Sequence, residues 1–323
     1  METEITANLP QLLTAAWESR AAFHAHQATD CYRIFHGYSE GLPGLSIDRY
    51  GSAAVINKKV ELFISDADLV TSLRSLFPFE KVVQKSHQRV STDRGPRVQY
   101  LYGERSAAPH KVKEGGDWYF ADLDDLHSNG LFMDTRPARR WLKDHSQGRR
   151  VYNLFAHTGS LGVAARLGGA KDVVHIDKSP EALAKIRITL ELNDLRHDDR
   201  SILRGDIYYH LPRAVKWGQK FSGIILDPPP FIPPPLRKPD HKPEGQDFAT
   251  LIDWSCKLLD QDGWLLCVYH DFRKSHDEHD QDIVRASGGT LMPVWRDRAD
   301  ADFIESDDNR WTRMSAFERT NNR

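Results

Sequence analysis

Short apolar runs fill the first part of the chain and alternate with turn signals: AAVIN at 53–57, KVVQK at 81–85 and VQYLYG at 98–103, with GLPG at 41–44 ahead of them. Runs of this length bounded by glycine or proline read as β-strands. Before them, Leu9, Leu12, Leu13, Ala16 and Trp17 keep the i, i+3, i+4, i+7 spacing of an amphipathic helix. Near residue 120 the pattern changes. YNLFA (152–156), VVHID (173–177), IILD (224–227) and WLLCVYH (264–270) now alternate with helical periods over Ser160–Leu167, Pro180–Leu192 and about Phe248–Leu259. That alternation predicts an α/β fold, a Rossmann-like, mostly parallel sheet flanked by helices, behind a smaller N-terminal α+β domain. The boundary is expected at 121/122, so that residues 1–121 and 122–323 form separate domains.

Composition limits the function only loosely. With 323 residues, 40% of them hydrophobic, the chain can bury a sizeable core. No secretory leader or membrane-length apolar run is apparent, which predicts a cytoplasmic protein with no membrane partner. The three cysteines lack CxxC spacing, so they read as buried thiols rather than a zinc site or a disulfide framework. Lys and Arg number 44 against 46 Asp and Glu, so no global charge favours nucleic acid. Two local clusters do so weakly: Arg136, Arg139, Arg140, Lys143, Arg149 and Arg150, and then Arg296, Arg298, Arg310 and Arg313. HDEHDQD (276–282) reads as a charged helical surface, not a metal site, because no further ligand is spaced to complete one.

Chemistry concentrates between residues 151 and 231. A strand ending at Phe155 or Ala156 turns through His157, Thr158 and Gly159 into a helix, which brings backbone N–H groups and a glycine toward a ligand. The turn reads Gly159-Ser-Leu-Gly162, not GxGxxG, so a dinucleotide pyrophosphate is disfavoured. Asp177 ends the next β-run, where a carboxylate can accept from both hydroxyls of a ribose, and Ser179 and Pro180 suit N-cap and N1 of the helix that follows. Asp206, in RGDIYY (204–209), can accept from an adenine amino group, with Ile207 as an apolar cover. Asp227-Pro228-Pro229-Pro230-Phe231 closes a third run. Prolines there restrict φ and supply no N–H, leaving a stiff wall of acceptors. An aromatic ring just beyond it can stack on a flat base, worth about 1–3 kcal/mol. The segment from 228 to 243 is half proline and is expected to be a stiff exposed loop.

Residues 151–231 resemble motifs I to IV of the class I S-adenosylmethionine methyltransferases. GLFMDTR (130–136) is similar to the segment before motif I in bacterial large-subunit rRNA methyltransferases. GYSEGLPGLSIDRYG (37–51) and VKEGGDWYFADL (112–123) resemble their middle domain. The resemblance implies a seven-stranded sheet, S-adenosyl-L-methionine as cofactor, no metal, and RNA, from the large ribosomal subunit, as partner. It implies cofactor contacts from Phe132 and Asp134, from Asn153, Phe155, Thr158 and Gly159, from Asp177 and Lys178, and from Asp206 and Ile207. The catalytic positions it implies are Asp227, Pro228, Pro229 and Phe231.

Departures from the family pattern shape the expected chemistry. A PUA-type RNA-binding domain is expected to be absent, because the middle-domain motif begins by residue 32, so residues 1–121 become the candidate for RNA recognition. His157 replaces the usual tyrosine of YTG. The cysteine nucleophile of the 5-methylcytosine enzymes aligns with His270, while Cys267, three positions earlier on a strand, points to the other face. Carbon 5 of a pyrimidine needs a transient thiolate adduct, whereas a nitrogen can attack a sulfonium methyl directly. A purine nitrogen is therefore the expected target, with His270 a candidate proton acceptor. A cytosine carbon-5 enzyme, or a catalytically silent RNA-binding or ribosome-assembly protein, are the alternatives. A nicotinamide oxidoreductase is opposed by the missing GxGxxG. The oligomeric state is not legible.

Overall fold

The structure, a computed structural model, describes residues 2–62, 64–87, 97–229, 247–270, 274–305 and 312–320, with residues 2–7 as backbone only. The chain forms two compact units, Met1–Met133 with Ala301–Arg310, and Asp134–Asp300 with Trp311–Arg323. The division thus falls twelve residues beyond the expected 121/122, and the first unit takes a late segment that sequence reading placed in the second. Among the described residues no helix is long and apolar enough to cross a membrane.

In the first unit the elements are α1 (Glu2–Ser19), α2 (Ala21–Ala25), β1 (Cys31–His36), β2 (Leu45–Tyr50), β3 (Ala53–Lys58), α3 (Asp66–Leu76), β4 (Lys81–Ser86), β5 (Val98–Tyr102), β6 (His110–Glu114) and β7 (Asp117–Ala121). Strands β1 to β5 form one sheet in chain order, antiparallel except for β3 with β4, which α3 connects in parallel; β6 and β7 pair as a separate hairpin. The predicted amphipathic stripe is α1, whose Leu9, Leu13 and Ala16 are buried with Tyr32, Ile34, Ile47 and Ile56. Buried Arg20 is held by both oxygens of Glu40, at 2.6 and 2.9 Å. The late segment is fastened by Asp302, fully buried, which accepts the backbone N–H of Arg33 at 3.0 Å, while the Arg33 guanidinium lies over the Phe303 ring. Such a contact between distant parts of the chain has no local sequence signature.

The second unit comprises α4 (Arg136–His145), β8 (Arg150–Leu154), α5 (Ser160–Leu167), β9 (Asp172–Asp177), α6 (Pro180–Leu192), β10 (Ile202–Arg204), α7 (Ile207–Lys216), β11 (Phe221–Leu226), α8 (Phe248–Leu258), β12 (Leu259–Tyr269), α9 (His276–Ala286), β13 (Leu291–Arg298) and β14 (Arg313–Arg319). Its seven strands run in the order β10-β9-β8-β11-β12-β14-β13. The first five are mutually parallel, and β14 is antiparallel to both neighbours. The central strands β8, β9, β11 and β12 have buried residues on both faces, which is why their runs are continuously apolar rather than alternating. Ile224, Leu226, Leu265 and Cys267 face one core with α7, α8 and α9; Ile225, Leu266 and Val268 face the other with α4 and α5. Chain order runs outward from β8 through β9 to β10, then restarts at β11 on the other side. That reversal makes the β8/β11 boundary a topological switch point, where ligands of open α/β sheets bind outside the carboxyl ends of the strands.

Two surface readings need correction. α9 is not simply a charged surface: His279 stacks on Tyr269 at 4.5 Å, and buried Asp280 accepts from the Tyr269 hydroxyl at 2.8 Å and from Arg296. Nor are the arginine clusters free basic patches. Arg136 and Arg139 are buried, Arg136 and Arg140 both reach Asp300 (3.0 and 2.7 Å), and Arg296 also reaches Asp277 at 2.5 Å. Arg310 lies outside the described residues.

Candidate active site at the strand tips

Because β10, β9, β8, β11 and β12 are parallel neighbours, their carboxyl ends lie along one edge, and most of the residues singled out in the sequence fall there. The strand β8 ends abruptly: Phe155 and His157 both adopt positive φ, 55° and 47°, which is uncommon away from glycine and concentrates at functional sites. Gly159 follows at φ 80° as the N-cap of α5. A side chain there would be strained by the backbone and would stand 2.8 Å from Cγ1 of Ile186. Thr158 is buried beside it.

Asp177, at the tip of β9, binds this turn directly. Its Oδ2 accepts the His157 N–H at 2.8 Å, and its Oδ1 accepts the Ser179 N–H at 2.9 Å. Ser179 in turn caps α6 as expected, accepting from the Ala182 N–H at 3.1 Å. At the tip of β10, Asp206 caps α7 by accepting the Tyr208 N–H at 2.9 Å, and its second oxygen meets Lys178 Nζ at 2.7 Å. Two of the expected cofactor residues are thus brought together. Ile207 is only 2% exposed and belongs to the core under the sheet, not to an open wall. Asn153, 1% exposed, directs its amide at Nδ1 of buried His175, 3.2 Å away. Phe132 is 43% exposed and belongs to the first unit.

The tips of β11 and β12 carry the second half. Asp227 Oδ1 and His270 Nε2 are 3.0 Å apart. The other ring nitrogen, Nδ1, lies 3.4 Å from the hydroxyl of Thr312, which donates to Asp134. A carboxylate oxygen accepts, so Nε2 donates to Asp227, while the role of Nδ1 toward Thr312 follows the tautomer. That pairing favours the charged form of the ring. Burial opposes that charge, but the hydrogen bond and charge of Asp227, with the charge of Asp134, raise the His270 pKa above its ordinary 6.5. His270 is therefore the hydrogen-bonded partner of Asp227 at the strand tips. Thr312 was missed in the sequence, where nothing marks it. Pro228 is buried and Pro229 exposed, while Pro230 and Phe231 lie outside the described residues.

Of the cysteines, Cys31 is buried in the first unit; in the second, Cys256 is on α8 and Cys267 is buried in the core, where burial pushes its thiol well up. Among the described residues no cluster of three or more His, Cys, Asp or Glu could hold a metal. The acceptors that remain fit an adenosyl group. Each oxygen of Asp177 has spent one of its lone-pair sites and keeps capacity for a ribose hydroxyl.

Comparison with known proteins agrees with this geometry. A family model described as S-adenosylmethionine-dependent methyltransferase matches residues 81–304. The Ribosomal RNA large subunit methyltransferase I of Aeromonas hydrophila is 36% identical over 223 residues, covering 68% of this chain and 56% of that protein; that of Escherichia coli O9:H4 is 32% identical over 210 residues, covering 63% and 52%. The chain spans little more than half the length of these relatives. In fold it is similar to a Streptococcus mutans protein assigned to the SAM-dependent methyltransferases (TM-score 0.83, 21% identity, 97% of this chain and 81% of that one). A solved methyltransferase complexed with SAH gives the same values, and Trm5b of Pyrococcus abyssi a TM-score of 0.59 at 15% identity, over 87% and 77% of the two chains. The family match covers well over half of the sequence, and its cofactor is the one the strand tips suit: the chain belongs to the S-adenosylmethionine-dependent methyltransferases.

Proposed function

We propose that the protein methylates RNA, and that its target is a purine nitrogen of large-subunit rRNA. The single observation that carries the choice of nitrogen is the Asp227–His270 pair. At the strand tips where a covalent carbon-5 mechanism would need a thiolate, the Asp227 carboxylate and the His270 ring face each other instead, and the two cysteines of the same unit lie on α8 and in the core. The rRNA methyltransferases among the relatives support rRNA as the substrate class, and a cytoplasmic location goes with it.

In this reading S-adenosyl-L-methionine supplies an electrophilic sulfonium methyl. Asp177 accepts from the ribose hydroxyls, Asp206 and Lys178 close the adenine side, and the turn through Thr158 and Gly159 lets backbone approach the cofactor. Asp134, Phe155, Asn153 and Ile207 complete the set by contact or by packing behind it. Asp227 would use the oxygen not engaged by His270 to accept the N–H of the target base and take up its proton as the nitrogen gains the methyl, the S–CH3 bond breaks and S-adenosylhomocysteine leaves. Pro228 and Pro229 stiffen that edge, and Phe231 stacks on the base. Catalysis is then largely positioning, which can contribute about 7–11 kcal/mol. The first unit supplies RNA contacts.

The test is transfer of labelled methyl from S-adenosylmethionine to rRNA isolated from a strain deleted for the gene, with Asp227→Ala as control, followed by mass spectrometry of the nucleosides. A methylated purine that vanishes in the control is expected. Labelled 5-methylcytosine would move the target to carbon, and no RNA labelling at all would defeat the reading.

A further inference from the structure

At the amino-terminal edge of the same parallel sheet, opposite the strand tips, the second unit holds a separate recess. It is a cavity of about 260 Å3 lined by the end of α5, the start of β9, the end of α6 and the turn leading into β10. Its deeper lining is Val173, His175 and Leu190, all buried.

The charges around it do not balance. Arg166 ties the walls together by donating to three carbonyls, those of Ala170 (2.8 Å), Lys171 (3.1 Å) and Arg196 (3.3 Å). Carbonyls are neutral, so the guanidinium is fixed in place without a counter-charge. Lys171 and Arg196 line the same cavity, and neither side chain has a hydrogen-bond or ion-pair partner among the described residues. The two carboxylates in the lining are already matched by arginines outside it, Asp172 by Arg150 at 3.5 Å and Asp198 by Arg200 at 3.2 Å. Three cationic side chains therefore line the recess beside two carboxylates that each share an arginine from outside it, which leaves the lining net positive. Burial first, then the charges of Arg166 and His197, hold the His175 pKa down to about 3, which is what a positive recess does to a histidine in its wall.

We propose that this recess is an anion site that takes a phosphate group, either free or carried in an RNA backbone. Its volume falls below the roughly 300–1,000 Å3 of sites for drug-sized ligands, so the occupant is a small group rather than a whole cofactor. Arg supplies a planar fork of donors and Lys a mobile point charge, the usual pairing for phosphate oxygens. The site is independent of the methyl-transfer reading, because none of its residues belongs to the strand tips.

The test uses the full chain and the double variant Lys171→Glu/Arg196→Glu, with Lys171→Gln/Arg196→Gln as a milder pair should charge reversal impair folding. Inorganic phosphate binding is followed by calorimetry, a labelled oligoribonucleotide by anisotropy, and cofactor retention and thermal midpoint serve as folding controls. Saturable phosphate binding that weakens at least about tenfold in the variants, with cofactor retention unchanged, supports the site as one for a free anion. Oligonucleotide binding that weakens in the variants and depends less steeply on salt, by about 0.7 per lost contact in log–log terms, supports a backbone phosphate. Equal binding of both probes by wild type and variants, or saturable binding of neither, would overturn it. Loss of RNA methylation with intact phosphate binding would leave this site standing and remove only the proposed function.

Discussion

Nε2 of His270 meets Oδ1 of Asp227 at 3.0 Å across two adjacent parallel strand tips, and the Thr312 hydroxyl occupies the far side of the ring. Asp227 raises the pKa of this histidine above 6.5, and that has a definite consequence for stability. Between the ordinary 6.5 and the higher folded value, the folded state holds a proton that the unfolded state has released. The stabilisation from the pair is therefore complete below about pH 6.5 and is lost as pH rises through the folded pKa. Chemical denaturation of wild type and His270→Gln across pH 5 to 9 reads this directly. The advantage of wild type should shrink toward alkaline pH, and an advantage constant across the range would show the ring to be neutral.

Asp227→Asn keeps the shape of the side chain but replaces one acceptor oxygen with a donor. If Asp227 orients the base, methyl transfer should fall by about 10²-fold or more while cofactor retention stays near wild type, because Asp177 and Asp206 are untouched. Measuring both separates positioning from folding. A variant that lost the cofactor in parallel with activity would place Asp227 in the cofactor pocket instead.

Asp177 serves two purposes whose loss can be told apart. Replacement by Ala releases the His157 and Ser179 N–H groups, and hydrogen bonds to a charged acceptor are worth about 1.5–3 kcal/mol, less where water can replace them. It also removes the ribose acceptor. S-adenosylmethionine affinity should drop at least about tenfold in equilibrium dialysis, well beyond what partial unfolding explains, whereas retained affinity would make Asp177 a purely structural tie.

Gly159→Ala should destabilise by about 1–3 kcal/mol through the left-handed backbone alone, with the Ile186 contact added to it. The double variant with Ile186→Ala separates the two. Ile186 is fully buried, so its truncation costs about 2–5 kcal/mol by itself. Since truncation also removes the atoms the new methyl would strike, the combined loss should be smaller than the sum. Strict additivity would mean that the turn shifts and never makes the contact.

How much of this was legible in the sequence depends on the kind of interaction. Strands β8, β9, β11 and β12, and helices α5, α6 and α8, were readable because buried parallel strands are apolar throughout and each helix carries its own period and cap. Asp177 and Asp206 were readable as strand-tip acids because Ser179-Pro180 and the glycine of RGD punctuate the chain beside them. The edge strand β13 was not, since Met292 and Val294 lie exposed on it and its pattern matches no buried face. The position of Ile207 in the core was hidden too, because an acid at a strand tip does not say which way the following helix turns its first residue. Thr312 and Asp134 are 178 residues apart, and Asp302 finds Arg33 across 269. Pairings of that kind leave no periodicity to read.

The buried histidine of β9 gives the opposite pH response to that of His270. His175 accepts at Nδ1 from the Asn153 amide, 3.2 Å away, and its pKa is depressed to about 3, first by burial and then by Arg166 and His197. In the unfolded chain it binds a proton below about pH 6.5, while in the folded protein it stays neutral until about pH 3. Unfolding in that window takes up a proton, so stability is full above pH 6.5 and declines as the pH falls. His175→Gln cannot titrate and keeps an amide in the same space. Its own cost should be nearly constant with pH, so the gap between wild type and variant in urea midpoints should narrow steadily from pH 7 to pH 4. Parallel midpoints would mean that His175 is protonated inside the fold, and hence that water reaches the floor of the recess beside it.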